Sequence, residues 1–231
     1  MKRVSLITGG TRGIGFAVAE ALLKQGDSVA ITGTSLDGVE RAVAALGAEV
    51  LGLTCDVRQS ASVESALHAV ESHFGGVDVL VNNAGVGVGA PIADLSLDEW
   101  DRVIGTNLTG VFHCCRAAIP RLRRRGGGWI INLSSLASKN PFVGGAAYCA
   151  SKAGLNAFSE ALMQELRYDN IRVSYVLPGS VATGFSGRAT AAGGDWKLQP
   201  ADVAQVIVDL LAHPARSLPS RVEIRPSRPQ K

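Results

Sequence analysis

No run of about eighteen apolar residues occurs in the 231-residue chain, so a membrane-spanning helix is not expected. Met1-Lys2-Arg3 leads into an apolar stretch too short for the hydrophobic region of a secretory signal, which points to a soluble, cytoplasmic protein. Cysteine is scarce. Cys55, Cys114, Cys115 and Cys149 stand in segments that read as strand or helix, with no CxxC pair and no histidine at ligand spacing, and they read as small buried hydrophobes. His68, His73, His113 and His213 are scattered, none at i,i+4 from another, so no metal is expected. Aromatic residues make up only 5% of the chain and do not interleave with the basic ones, which argues against a nucleic-acid partner. Charge is modest, 19% of residues with a formal net of +3. The excess lies in Arg121, Arg123, Arg124 and Arg125 and in the tail from Arg221 to Lys231. The arginine run ends a predicted helix, where solvated cations complement the dipole. Long Pro/Gly/Ser linkers and internal repeats are also missing, so residues 1–231 are expected to form one domain.

What is present is a regular alternation. Hydrophobic residues make up 46% of the chain, and β-branched runs alternate with helix-period stretches throughout. That pattern predicts an α/β fold, a parallel sheet with helices on both faces. The expected strands are Val4–Thr8, Val29–Gly33, Val50–Cys55, Val77–Val81, Trp129–Ser134, Ile171–Leu177 and Val222–Arg225. The expected helices are Ile14–Gln25, Leu36–Leu46, Ala61–His73, Leu97–Arg124, Ala146–Tyr168 and Pro200–His213. With right-handed crossovers they make a Rossmann-type doubly wound sheet of seven mainly parallel strands, order 3-2-1-4-5-6-7. The Gly- and Ala-rich stretch from Thr183 to Lys197 would overhang the carboxyl ends of the strands, as a substrate lid or as a plain surface loop.

After the first strand comes Thr8-Gly9-Gly10-Thr11-Arg12-Gly13-Ile14-Gly15, a glycine-rich turn opening into a helix. Glycine lets the backbone approach a pyrophosphate, which meets the unpaired amides and positive dipole end of the helix. An acid ending the second strand would hydrogen-bond the ribose 2′-hydroxyl of NAD, but that strand ends Ile31-Thr32-Gly33-Thr34-Ser35. Arg12, with the hydroxyls of Thr34 and Ser35, suits a 2′-phosphate. NADP(H) is therefore the expected cofactor, with NAD(H) open because Thr34 stands where a second base is often found. Cys55-Asp56-Val57 and Asn82-Asn83-Ala84-Gly85 end the third and fourth strands, on the edge where a dinucleotide would lie, although such residues also make ordinary turns.

Tyr148 and Lys152 are at i and i+4 at the start of a predicted helix, so both project from one face. A nearby ammonium would stabilise the phenolate and lower the tyrosine pKa toward the working range, making Tyr148 an acid in reduction and a base in oxidation. Ser135 ends the fifth strand in Ile130-Ile131-Asn132-Leu133-Ser134-Ser135, where its hydroxyl would hold a substrate oxygen. Asn107 sits inside a long helical pattern that asparagine disfavours; a helix kink holding water would explain it, as would a surface position.

Taken in order, TGGTRGIG, NNAG, the Asn107 segment, Ser135, Tyr148-x3-Lys152 and Pro178-Gly179 resemble the short-chain dehydrogenase/reductase family over the chain from its first strand to about Thr183. Within it the pattern is most similar to 3-oxoacyl-(acyl-carrier-protein) reductases. The resemblance implies an NADP(H)-dependent oxidoreductase moving a hydride between nicotinamide and a carbonyl or alcohol carbon. In that family Tyr148 would be the general acid/base, Ser135 would orient the carbonyl, Lys152 would bind the nicotinamide ribose and lower the tyrosine pKa, and Asn107 would hold a relay water. Gly9, Thr11, Arg12, Gly13, Ile14 and Gly15 would cradle the phosphates. Asp56 and Val57 would face the adenine, Asn83, with Ala84 and Gly85, a ribose, and Val181 and Thr183, after Pro178-Gly179, the carboxamide. The resemblance also implies a homotetramer or homodimer and a small-molecule substrate. Carrier docking through Arg124-Arg125 is weakened by Tyr168-Asp169-Asn170, which puts an acid where a second base is expected. The fold would equally serve a catalytically silent dinucleotide sensor or scaffold, but a sensor has no need of Asn107, Ser135, Tyr148 and Lys152 together.

Overall fold

A computed structural model describes residues 2–185 and 195–229; most of the candidate lid, residues 186–194, lies outside them. Strands β1 (Val4–Ile7), β2 (Ser28–Gly33), β3 (Leu51–Thr54), β4 (Val79–Asn82), β5 (Gly128–Leu133), β6 (Ile171–Pro178) and β7 (Arg221–Ile224) form one sheet of order β3-β2-β1-β4-β5-β6-β7, parallel at every pairing. Around it lie α1 (Gly13–Lys24), α2 (Leu36–Leu46), α3 (Ser60–Phe74), α4 (Leu97–Ile104), α5 (Gly110–Arg124), α6 (Ala146–Leu166) and α7 (Pro200–Ala212). The central strands read as unbroken apolar runs because both faces are covered. Leu6, Leu80 and Ile130 point into one core with Leu67, Leu122 and Leu155 of α3, α5 and α6. Their neighbours Ile7, Val81 and Ile131 point into the other, with Leu22 of α1, Ala42 of α2 and Ile207 of α7. All four cysteines are buried. No helix among the described residues is long and apolar enough to cross a membrane.

Two expectations gain detail. The helix expected over Leu97–Arg124 runs through as α4 and α5 with a π-helical turn, Gly105–Thr109, between them, in which the amide of Gly110 bonds to the carbonyl of Gly105. The arginine run ending α5 is ion-paired as well as partly solvated. Arg121 is buried and lies 2.9 Å from Glu64, while Arg124 reaches Glu71 at 2.6 Å, Arg123 reaches Asp169 at 2.7 Å and Arg125 reaches Asp78 at 2.8 Å. The packing of α3 beside α5 and the amino ends of β4 and β6 supply these acids, all distant in sequence.

Candidate active site

The chain passes from β3 back across the sheet to β4, so β1 has β2 on one side and β4 on the other, the arrangement that opens a ligand crevice at the carboxyl ends of the strands. Gly9 and the Asn83 loop meet there because β1 and β4 are in register, Ile7 beside Val81. Thr8 Oγ1 accepts hydrogen bonds from the backbone amides of Asn83 and Ala84, both at 3.0 Å. Asn83 Nδ2 donates to the carbonyls of Thr8 and Gly9 at 3.0 and 2.9 Å. Both side-chain amide hydrogens of Asn83 thus fasten the glycine loop, a use that its expected ribose contact did not anticipate. Gly9 has φ +64°, and a Cβ on it would stand 2.9 Å from Ala84 Cα; Gly13 has φ +57°. A Cβ on Gly15 would lie 2.4 Å from Asn83 Nδ2, so Gly15 serves the packing of the loop. The first turn of α1 holds no acid, and its N-cap Arg12 makes no side-chain capping bond. A backbone cradle closed to side chains, with open amides and no competing carboxylate, fits a pyrophosphate.

At the adenosine end, Arg12, Thr34, Asp56 and Val57 line the same cleft. Arg12 forms no ion pair with a carboxylate of the described residues. Ser35 does not line the cleft; it caps α2, accepting from the amide of Gly38 at 3.3 Å. Arg58, which the motifs did not single out, donates to Asp56 from Nη2 at 2.6 Å and Nε at 3.0 Å, and this guanidinium holds the Asp56 carboxyl below its usual range.

At the chemical end, Tyr148 and Lys152 stand on the first turns of α6, and Ser135 follows β5. All three line the cleft. Lys152 is buried; its Nζ donates to the carbonyl of Leu133 at 2.6 Å and sits 5.9 Å from the centre of the Tyr148 ring. Burial lowers the Lys152 pKa to about 8. Burial also raises the Tyr148 phenol above its ordinary value, with the neighbouring Ser135 hydroxyl pulling the other way. Desolvation of the phenolate is the larger effect on this phenol.

Asn107 is fully buried inside the π turn. Its Nδ2 donates to the carbonyl of Val86 at 2.9 Å and to Ser151 Oγ at 3.0 Å, and its Oδ1 accepts from the amide of Val86 at 2.8 Å. It joins the loop after β4 to the base of α6. The side chain is wholly buried and does not line the cleft, which excludes the surface reading. A second network escaped the sequence reading: Ser134 Oγ lies 2.5 Å from Asn156 Oδ1, and Asn156 Nδ2 donates to Ser138 Oγ at 2.8 Å. Asn156 falls one further helical step beyond Tyr148 and Lys152, an i, i+4, i+8 signal that was there to be read.

Arg12, Thr34, Asp56, Val57, Ser135, Tyr148 and Lys152 share one cleft of about 1680 Å³. Gly9, Thr11, Gly13, Ile14, Asn83, Ala84, Gly85, Pro178, Gly179, Val181 and Thr183 also form its wall, while Gly15, Ser35 and Asn107 stand behind it.

Comparison with known proteins matches residues 3–193 to the family described as short chain dehydrogenase. A D-threitol dehydrogenase of Mycolicibacterium smegmatis is 39% identical over 184 residues, covering 78% of this chain and 71% of that one. A 3-oxoacyl-(acyl-carrier-protein) reductase of Haemophilus influenzae is 38% identical over 181 residues, 78% and 75% of the two chains. Among solved structures, an alcohol dehydrogenase from the archaeon Thermococcus sibiricus, complexed with 5-hydroxy-NADP, superposes with a TM-score of 0.91 at 30% identity over 100% of both chains.

Proposed function

Since the chain belongs to the short-chain dehydrogenase family, we propose that it is an oxidoreductase using NADP(H) to interconvert a carbonyl and an alcohol, with Tyr148 as the general acid/base. The observation that carries this reading is the convergence of the Tyr148 phenol, the buried Lys152 ammonium and the Ser135 hydroxyl in a cleft that also holds the glycine cradle. When bound, the nicotinamide supplies the hydride. The chain's own residues do the rest. The Gly9–Gly15 loop and the amides opening α1 hold the pyrophosphate, and Arg12 with Thr34 receives the 2′-phosphate. Ser135 Oγ and the Tyr148 hydroxyl hold the substrate oxygen, and Tyr148 delivers its proton there in reduction or removes it in oxidation. A phenol kept protonated by burial suits the donor's part. Lys152 holds the nicotinamide ribose and steadies the phenolate as it forms. The π turn around Asn107 holds the relay water, since changing from i+4 to i+5 bonding leaves a turn carbonyl without its usual amide.

A small-molecule carbonyl or alcohol is the substrate in this reading. The apolar surface left exposed on α4 and α5, at Leu97, Trp100 and Phe112, supports a homodimer or homotetramer.

The test is a carbonyl panel followed by loss of NADPH absorbance, with Tyr148→Phe and Arg12→Leu beside the wild type. Tyr148→Phe is expected to lower kcat by roughly 10²–10⁴-fold while still binding NADPH. Arg12→Leu should weaken NADPH but not NADH. Wild-type turnover by Tyr148→Phe on every active carbonyl would refute the acid/base assignment.

A further inference from the structure

Beyond Tyr148 the cleft presents three apolar side chains, Phe142, Val143 and Phe185. The ring of Phe185 lies 5.7 Å from that of Tyr148, centre to centre. Phe142 lies across the start of α6, where a Cβ on Gly145 would come within 2.6 Å of its ring, so glycine at that position makes room for the aromatic. The amide of Ala90 donates to the carbonyl of Gly144 at 3.0 Å, which clasps the loop bearing Phe142 and Val143 to the loop after β4. Both loops line the cleft. Phe142, Val143 and Phe185 nevertheless remain 56%, 99% and 40% exposed. Apolar surface gathered at the mouth of a reactive site gains free energy when something apolar covers it.

Two polar side chains near these three residues have partners within the chain. Asn140 Nδ2 donates to the carbonyl of Leu136 at 3.2 Å, and Ser138 Oγ donates to the carbonyl of Ser135 at 2.6 Å while accepting from Asn156. The Lys197 ammonium stands 5.8 Å over the ring of its neighbour Trp196. The hydroxyls of a polyol laid against Phe142, Val143 and Phe185 would lose water without gaining partners from those side chains, which costs more than the absence of a methylene in an apolar pocket.

We propose that the preferred substrates are ketones, or the matching secondary alcohols, with an aromatic or branched apolar body. The reacting oxygen sits at Ser135 and Tyr148, and the body lies against Phe185, Phe142 and Val143. This inference rests on the carbonyl chemistry proposed for Tyr148 and selects a substrate class for it, one unlike the polyol named for the D-threitol dehydrogenase relative.

The experiment compares three probes: 4-phenyl-2-butanone, the hydroxylated ketone erythrulose and the charged thioester acetoacetyl-CoA. Wild-type kcat/KM for the phenyl ketone should exceed that for each of the others by roughly a hundredfold. Phe185→Ala and Phe142→Ala should each lower kcat/KM for the phenyl ketone about tenfold, chiefly through KM, and so shrink the preference. Equal or greater activity on erythrulose or acetoacetyl-CoA would overturn the inference and leave the acid/base reading standing. Binding of the phenyl ketone, followed by calorimetry with NADP+ present, separates the two claims. Binding that weakens in Phe185→Ala without any turnover supports the apolar wall while refuting the proposed reaction; no binding overturns the inference.

Discussion

At the scale of the residue, burial sets the chemistry of Tyr148 and Lys152 more than their charges do. A depressed lysine pKa of about 8 means that the folded protein loses this ammonium as pH rises through about 8, whereas a raised tyrosine keeps its proton beyond its ordinary value near 10. A step that needs both the cation and the phenolic proton therefore fades on the alkaline side, and the lysine fades first. The profile of kcat/KM for reduction, which reports groups of the unliganded enzyme, is expected to bend downward near pH 8. Lys152→Met should remove the bend together with most of the activity. A level profile up to about pH 10 would show that the ammonium is not required.

At the scale of the element, the π turn between α4 and α5 converts a long helix into a bracket. One extra residue in the turn brings Asn107 inward, where it ties the loop after β4 to α6 through Val86 and Ser151. Asn107→Leu removes those bonds and leaves the amide and carbonyl of Val86 without their partner. Stability should fall by about 3 kcal/mol, since each buried group left unsatisfied costs roughly 1–3 kcal/mol. Urea unfolding measures the loss, and a variant within about 0.5 kcal/mol of wild type would show that the tether is dispensable. The site was legible at this scale where its signal was local: the glycine turn precedes a helix, and Tyr148 and Lys152 share one helical face. The carbonyl of Leu133 that fixes Lys152 and the Glu64, Glu71, Asp78 and Asp169 that pair the arginine run were not legible, because their partners lie far off in the chain.

At the scale of the whole molecule, the sheet order makes the crevice by setting β1 between β2 and β4, and the two loops at that edge lock together through Thr8 and Asn83. The opposite edge is closed by ion pairs from the arginine run. The exposed apolar side chains of α4 and α5 remain uncovered by the described residues of a single copy. Light scattering at micromolar concentration is expected to give the mass of a dimer or tetramer. A monomer under those conditions would contradict the assembly.

The amino-acid sequence by itself determined the number, order and pairing of the strands, since period-two burial on two covered faces and short connections leave few other arrangements. It also singled out Ser135, Tyr148 and Lys152, which line one cleft and whose sequence signals are local. Only the tertiary structure decided how those groups titrate, which asparagine fastens which loop, and where the arginines find their acids. Desolvation and long-range hydrogen bonding depend on what packs around a side chain, and residues dozens of positions away supply that packing.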